Sequence, residues 1–154
     1  MGANPIPFAR FLEEQRLRVL RYLGAAVGPA DADDVFQETF LAALRAWPDV
    51  VDDGRLDRWI LKIASRKAID HHRRRLRRPV PVAETPDRPV TPEDPMGDPI
   101  WASVALLPVA QREAVLCRFA LDLPYREIGD LLGITPEAAR ANVYQGMKKL
   151  RERI

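Results

Sequence analysis

The sequence predicts an all-α protein of two small helical domains joined by an extended, proline-rich linker. Three observations carry this prediction. Apolar residues recur at helical spacing through most of the chain, and no stretch alternates as a strand would. Seven of the 14 prolines fall between Pro79 and Pro99, in PVPVAETPDRPVTPEDPMGDP, a density that blocks helices and favours extended chain. Charge divides at the same places: residues 1–78 hold 15 Lys/Arg against 11 Asp/Glu, residues 79–100 hold 1 against 5, and residues 101–154 hold 8 against 6. Two mildly basic blocks therefore flank an acidic strap. The expected boundaries are residues 6–78 for the first domain, 79–100 for the linker and 101–154 for the second domain.

In the first block, Phe8, Leu12, Val19, Leu20, Leu23 and Val27 mark a helix that should stop at Gly28-Pro29. A second helix should run from an acidic cluster to Trp47-Pro48, with Asp31 as its N-cap. A third should begin near Leu56, with Trp59, Ile60, Ile63, Ala64 and Ala68 as its inward stripe, and lead into the basic run HHRRRLRR. The second block should add helices near residues 100–107 and 109–121, then a helical hairpin over residues 125–154.

That hairpin, YREIGDLLGITPEAARANVYQGMKKLRERI, is the most informative stretch. Ile128, Leu131 and Leu132 give its first helix an inward face, and Gly133 permits the positive backbone angle of a sharp turn. Thr135 offers its hydroxyl as N-cap, and Pro136 fits the first helical position. Ala139, Val143, Met147, Leu150 and Ile154 would bury one side of the second helix. Arg140, Asn142, Tyr144, Gln145 and Lys148 are left on the others, able to reach phosphates or base edges. This is the plan of a helix-turn-helix, although a helical hairpin with a solvated polar face shares the pattern.

Several classes are excluded. No run of about 18 apolar residues exists to span a membrane, and MGANPIPFARF lacks a signal pattern, so a cytoplasmic protein without membrane insertion is expected. The lone Cys117 has no disulfide partner and sits among apolar neighbours, as a small core residue does. No phosphate loop, GxSxG or HExxH is present, and neither cofactor nor metal is expected. Asp70-His71-His72 does not read as a metal site, because adjacent histidines on a helix point apart and arginines follow. An enzyme built on Asp70, His71 or Cys117 has no supporting constellation, so no catalytic residue is assigned.

Two further patterns carry chemistry. Asp33, Asp34, Gln37 and Glu38 concentrate negative potential on the second helix, as a capped, solvated surface also would. Arg66, Lys67, His71, His72, Arg73, Arg74, Arg75, Arg77 and Arg78 form the densest positive run, suited to phosphate. Trp59, at the entry to the third helix, suits the core and could also support a loop that holds an unstacked base.

In this order the pieces resemble a known family. DADDVFQETFLAALRAW followed by RLDRWILKIASRKAIDHHRRR resembles region two of the extracytoplasmic-function (ECF) sigma factors of bacterial RNA polymerase. LLPVAQREAVLCRFALDLPYREIGDLLGITPEAARANVYQGMKKLRERI looks like region four of the same group. The resemblance implies a three-to-four-helix bundle followed by a helix-turn-helix domain, and a promoter-specificity subunit without catalytic activity. It assigns Asp33, Asp34, Gln37, Glu38 and Phe40 to the clamp helices of the largest polymerase subunit, and implies contact with the flap of the second-largest subunit. Arg58, Trp59, Arg66, Lys67 and Asp70 fall where the minus-ten element is opened. Arg140, Ala141, Tyr144 and Gln145 fall where the minus-thirty-five element is read, and Arg74, Arg126, Thr135, Asn142 and Lys148 complete the expected DNA-binding set. The linker would thread toward the active centre, and an anti-sigma factor is an implied partner.

The chain also departs from the family pattern. Ala64-Ser65-Arg66 stands where Ala-Arg-Asn is common, Ala139-Arg140-Ala141-Asn142 where Val-Lys/Arg-Ser-Arg is usual, and Gln145 where Arg is commoner. Gln and Asn suit adenine, whereas Arg prefers guanine. These departures leave a second reading: a two-domain helix-turn-helix regulator that no longer engages polymerase.

Overall fold

The computed structural model describes residues 6–51, 53–77 and 99–153. Among them there are only helices, turns and loops. The first three helices are α1 (Phe8–Val27), α2 (Pro29–Ala46) and α3 (Leu56–Arg77). A short 3-10 turn, Trp47–Asp49, follows α2. The second block holds α4 (Pro99–Ala105), α5 (Val109–Phe119), α6 (Tyr125–Leu132) and α7 (Pro136–Arg153). Pro99 and Ile100, assigned to the linker by composition, form the first turn of α4; the rest of the strap, through residue 98, lies outside the described residues.

Four helices start at a proline without a side-chain cap: Pro7 precedes α1, Pro29 opens α2, Pro108 precedes α5 and Pro124 precedes α6. Gly28, at φ 90°, turns the chain between α1 and α2, and Pro29 opens α2. Asp31 is therefore not the N-cap expected from sequence. It sits in the first turn, where its carboxylate meets Arg75 at 3.1 Å and His71 at 3.2 Å. Thr135 does cap as expected, its hydroxyl accepting from the Ala138 N–H at 3.1 Å. Gly133 adopts the left-handed conformation, φ 71°, between α6 and α7. Gly129 lets the two helices close on each other: a Cβ there would lie 2.6 Å from the Ile134 carbonyl oxygen.

In the first block α1, α2 and α3 all pack on one another. Phe11, Val19, Leu23, Val35, Ile60 and Ala64 are buried between them. Aromatic rings close one end: Phe11 and Trp47 lie 4.6 Å apart, and Trp59 sits 6.0 Å from each. Phe40, expected at a polymerase-facing surface, is instead 5% exposed and packs at a tilt on Phe36, their ring centroids 4.6 Å apart. An aromatic ring this large is most stable inside, so Phe40 supports α2 from beneath.

In the second block α5 and α6 both pack on α7, with Leu116, Ile128, Ala139 and Leu150 buried. The two blocks are not separate bodies. α1 packs against α4 and α5, and the buried apolar residues form one cluster across both. This explains why α3 buries Leu61, Ser65 and Ile69 in addition to its expected stripe: it is covered from two sides.

Candidate functional site

The outer face of α2 holds the acidic group. Asp33, Asp34 and Gln37 are exposed. Glu38 is half-exposed and takes the guanidinium of Arg74 on α3, with Nη2 to Oε2 at 3.1 Å. Leu41 and Leu44 continue the outward stripe, 54% and 50% exposed. Leu41 follows Asp34 by seven residues and Glu38 by three, so helical spacing joins them to one face. The spacing that joins these leucines to the acidic face is visible in the sequence.

Along α3, Arg58, Arg66, Asp70 and Arg74 are exposed, Lys67 is half-buried, and Trp59 is half-buried in the aromatic cluster. Arg58 pairs with Asp122 at 3.4 Å. Lys62, Arg66, Asp70 and Arg73 line one wall of a crevice of about 470 Å³, whose other wall includes Glu127 and Asp130 of α6. These three acids of the second block had no signal in the sequence, because only the packing of the blocks brings them to α3.

On α7, Arg140, Ala141, Tyr144, Gln145 and Lys148 are exposed and Asn142 is half-buried, while Ala139, Val143 and Leu150 face inward. Tyr144 is 64% exposed, unusual for so large a ring. Thr135 stands at the start of this surface, and Arg126 is exposed on α6. The orientation inferred from residues 139, 143 and 147 therefore holds.

A polar knot joins the blocks. Arg112 Nη1 donates to the Ala26 carbonyl at 3.0 Å, and Nη2 donates to the Leu107 carbonyl at 2.9 Å. His72 Nε2 donates to the same Ala26 oxygen at 2.9 Å. Both thus satisfy the carbonyl end of α1, where the helix dipole favours a donor. Cys117 and Ser65 meet across the blocks at 4.0 Å, and burial pushes the thiol up to about 12. Burial likewise raises the Tyr22 hydroxyl, which bonds Ser65.

Glu113 lies 4.0 Å from His72. Burial pushes its carboxyl up to about 7 against the pull of Arg73 and Arg112, and burial lowers His72 below its usual 6.5. A raised acid means the fold favours the protonated form. Its stabilisation is full below the ordinary value of 4.5 and is lost as pH rises through about 7. His72 acts in the opposite sense, contributing above 6.5 and losing that contribution as pH falls. Glu113→Gln, which keeps the shape of the neutral acid, is expected to flatten the fall in melting temperature between pH 4.5 and 7. Parallel profiles for the two proteins would assign that slope elsewhere.

Known proteins share this arrangement. Residues 12–78 match the family described as Sigma-70 region 2, and residues 98–150 match Sigma-70, region 4. The ECF RNA polymerase sigma factor ShbA of Streptomyces griseus is 34% identical over 154 residues, spanning 86% of this chain and 79% of that protein. This chain belongs to the ECF sigma factors. Another ECF sigma factor, SigD of Mycobacterium tuberculosis, is 32% identical over 158 residues, 93% of this chain and 74% of that protein. In fold, this ECF sigma factor resembles the sigma factor RpoE solved with the anti-sigma factor NepR from Bartonella quintana. The TM-score is 0.59 at 17% identity, over 94% of this chain and 96% of that one. It also resembles CnrH in complex with the cytosolic domain of CnrY, with a TM-score of 0.53 at 19% identity, over 94% and 85% of the two chains. As an ECF sigma factor the chain directs transcription initiation and is not an enzyme. The reading as a regulator detached from polymerase is not favoured. No helix among the described residues is long and apolar enough to cross a membrane.

Proposed function

We propose that this ECF sigma factor binds core RNA polymerase through the outward face of α2 and places α3 and α7 on promoter DNA. Residues 6–78 hold polymerase and open the minus-ten element, the linker lies along the polymerase, and the block from 101 onward reads the minus-thirty-five element and meets the flap. Asp33, Asp34, Gln37 and half-exposed Glu38 meet the clamp helices, with Leu41 and Leu44 adding an apolar rim that the acids alone lack. Arg58, Arg66, Lys67 and Arg74 act on the minus-ten region, with Trp59 and Asp70 shaping it. An anti-sigma factor is the expected regulator, since two solved proteins of this fold are held by such partners or by a cytosolic domain.

The observation that carries the reading is α7. It begins at a capped turn and exposes Arg140, Ala141, Tyr144 and Gln145 together, as a helix entering a major groove must. Transcription from a matched promoter by core polymerase, with and without the protein, tests the function directly. Within that assay Arg140→Ala should cost about 1–3 kcal/mol of promoter discrimination, the scale of one bidentate base contact. Gln145→Arg should move the preferred minus-thirty-five sequence toward guanine in a selection from randomised promoters. Identical selected sequences would remove Gln145 from the bases.

A further inference from the structure

The seam between the two blocks encloses a titratable pair. Glu113 of α5 and His72 of α3 lie 4.0 Å apart, their side chains only 17% and 15% exposed. His72 is fixed by its donation to the Ala26 carbonyl at 2.9 Å, and Arg112, beside Glu113 on α5, donates to the same oxygen at 3.0 Å. Three helices, α1, α3 and α5, meet around the carboxyl, so hydrating it in full requires the blocks to part. Charged and titratable groups face the pair from each of them. Burial dominates at Glu113, and against the pull of Arg73 on α3 and Arg112 on α5 it pushes the carboxyl up to about 7. Tyr22 of α1 and Cys117 of α5 are both buried, and a charge on Glu113 makes each harder still to ionise. Burial also lowers His72, and Arg112, His71 and Arg75 act in the same direction against its bond to Ala26. Asp31 of α2 in turn holds His71 and Arg75, at 3.2 and 3.1 Å.

We propose that Glu113 is a proton-operated release for the seam: the blocks pack with its carboxyl protonated and part more readily once it is ionised. Parted blocks give Glu113 back to water and to its ordinary value of 4.5, so closing the seam takes up a proton between pH 4.5 and about 7. The contribution to closure is full below 4.5 and is lost as pH rises through about 7. His72 works in the opposite sense, its contribution present above 6.5 and lost as pH falls. Within the span of a group's shift, each pH unit changes the closing constant by up to about tenfold, so passing from pH 5 to 8 weakens the Glu113 contribution on the order of fiftyfold. The apolar cluster shared by the blocks sets how firmly the seam is closed, and the carboxyl makes that closure respond to pH. On the proposed function the blocks serve separate promoter elements, so a looser seam favours their spreading. That consequence rests on the promoter assignments; the release itself does not.

The single cysteine of the chain reports the seam. Cys117 is 1% exposed and faces Ser65 across it at 4.0 Å. Its modification by 4,4′-dithiodipyridine is timed from pH 5 to 8 in the full chain and in the variants Glu113→Gln and Arg73→Gln. Dividing the wild-type rate by the Glu113→Gln rate at each pH cancels the titration of the thiol and of His72, which both proteins share. The ratio should rise on the order of fiftyfold from pH 5 to 8 and level off above about 7. A flat ratio would overturn the proposal. Arg73 is exposed, and its charge favours the Glu113 anion, so Arg73→Gln should move the levelling to higher pH. This comparison with the wild type carries the test where Glu113→Gln fails to fold, and an unmoved curve would count against the release. Rates in low urea separate parting of the blocks from unfolding, because parting exposes less surface and gives a shallower dependence. A dependence as steep as that of global unfolding would place the proton in the stability of the whole chain and overturn the release. None of these readouts uses DNA or polymerase, so the release and the promoter assignments fail separately.

Discussion

Asp34→Lys is expected to lower the affinity for core RNA polymerase by about 3 kcal/mol, roughly a hundredfold, because like charges placed across a complementary interface repel strongly. Asp34 is exposed on α2 and makes no ion pair among the described residues, so the substitution leaves the fold intact. Glu38→Lys is a less clean probe, since it also sets two cations together at Arg74. Binding measured by competition against a labelled sigma factor, with helical content followed by circular dichroism, checks both halves of the expectation. Retention of full affinity would move the polymerase contact off this face of α2.

Phe11→Ala should destabilise the protein by about 3–5 kcal/mol, the usual scale for removing a fully buried aromatic ring. Phe11 is 1% exposed and lies against Phe8, Trp47 and Trp59, so its loss leaves a cavity that three rigid rings cannot easily fill. Set against a total stability of about 5–15 kcal/mol, this is enough to populate unfolded chain at body temperature. Leu17→Ala, at a position 58% exposed, should change stability by no more than about 0.5 kcal/mol. Urea midpoints for both variants decide the matter. A shift below about 1 kcal/mol for Phe11→Ala would mean that the aromatic end of the bundle is not its cornerstone.

Periodicity, turn chemistry and motif order made much of this legible. The stop at Val27, the start at Leu56, and the Gly133-Thr135-Pro136 turn all follow from local rules, and local rules suffice where one helix meets one neighbour. They fail where a helix has two neighbours. Leu61, Ser65 and Ile69 lie off the expected stripe of α3 because the second block covers that side, and no single-helix pattern contains this information. Phe40 shows a related gap: a family role describes a helix, whereas burial is decided residue by residue, and the ring belongs to the core side. Asp31 lost its expected cap to the Gly28-Pro29 pair, which started the helix earlier and freed the carboxylate for Arg75 and His71. The acids facing α3 from Asp122 to Asp130 were the least legible of all, since only the packing of the second block brings them there.

The contact between Glu38 and Arg74 has a thermodynamic consequence. On the proposed assignments one partner belongs to the polymerase surface and the other to promoter DNA, yet they share a bond of 3.1 Å. A clamp helix that draws Glu38 away leaves Arg74 available to phosphate, and a phosphate that draws Arg74 away leaves Glu38 available to the clamp. Reciprocity then requires that each ligand raise the affinity for the other by the same factor. Such coupling would let the subunit grip promoter DNA weakly until polymerase is in hand, and hold polymerase more firmly once the promoter has been found.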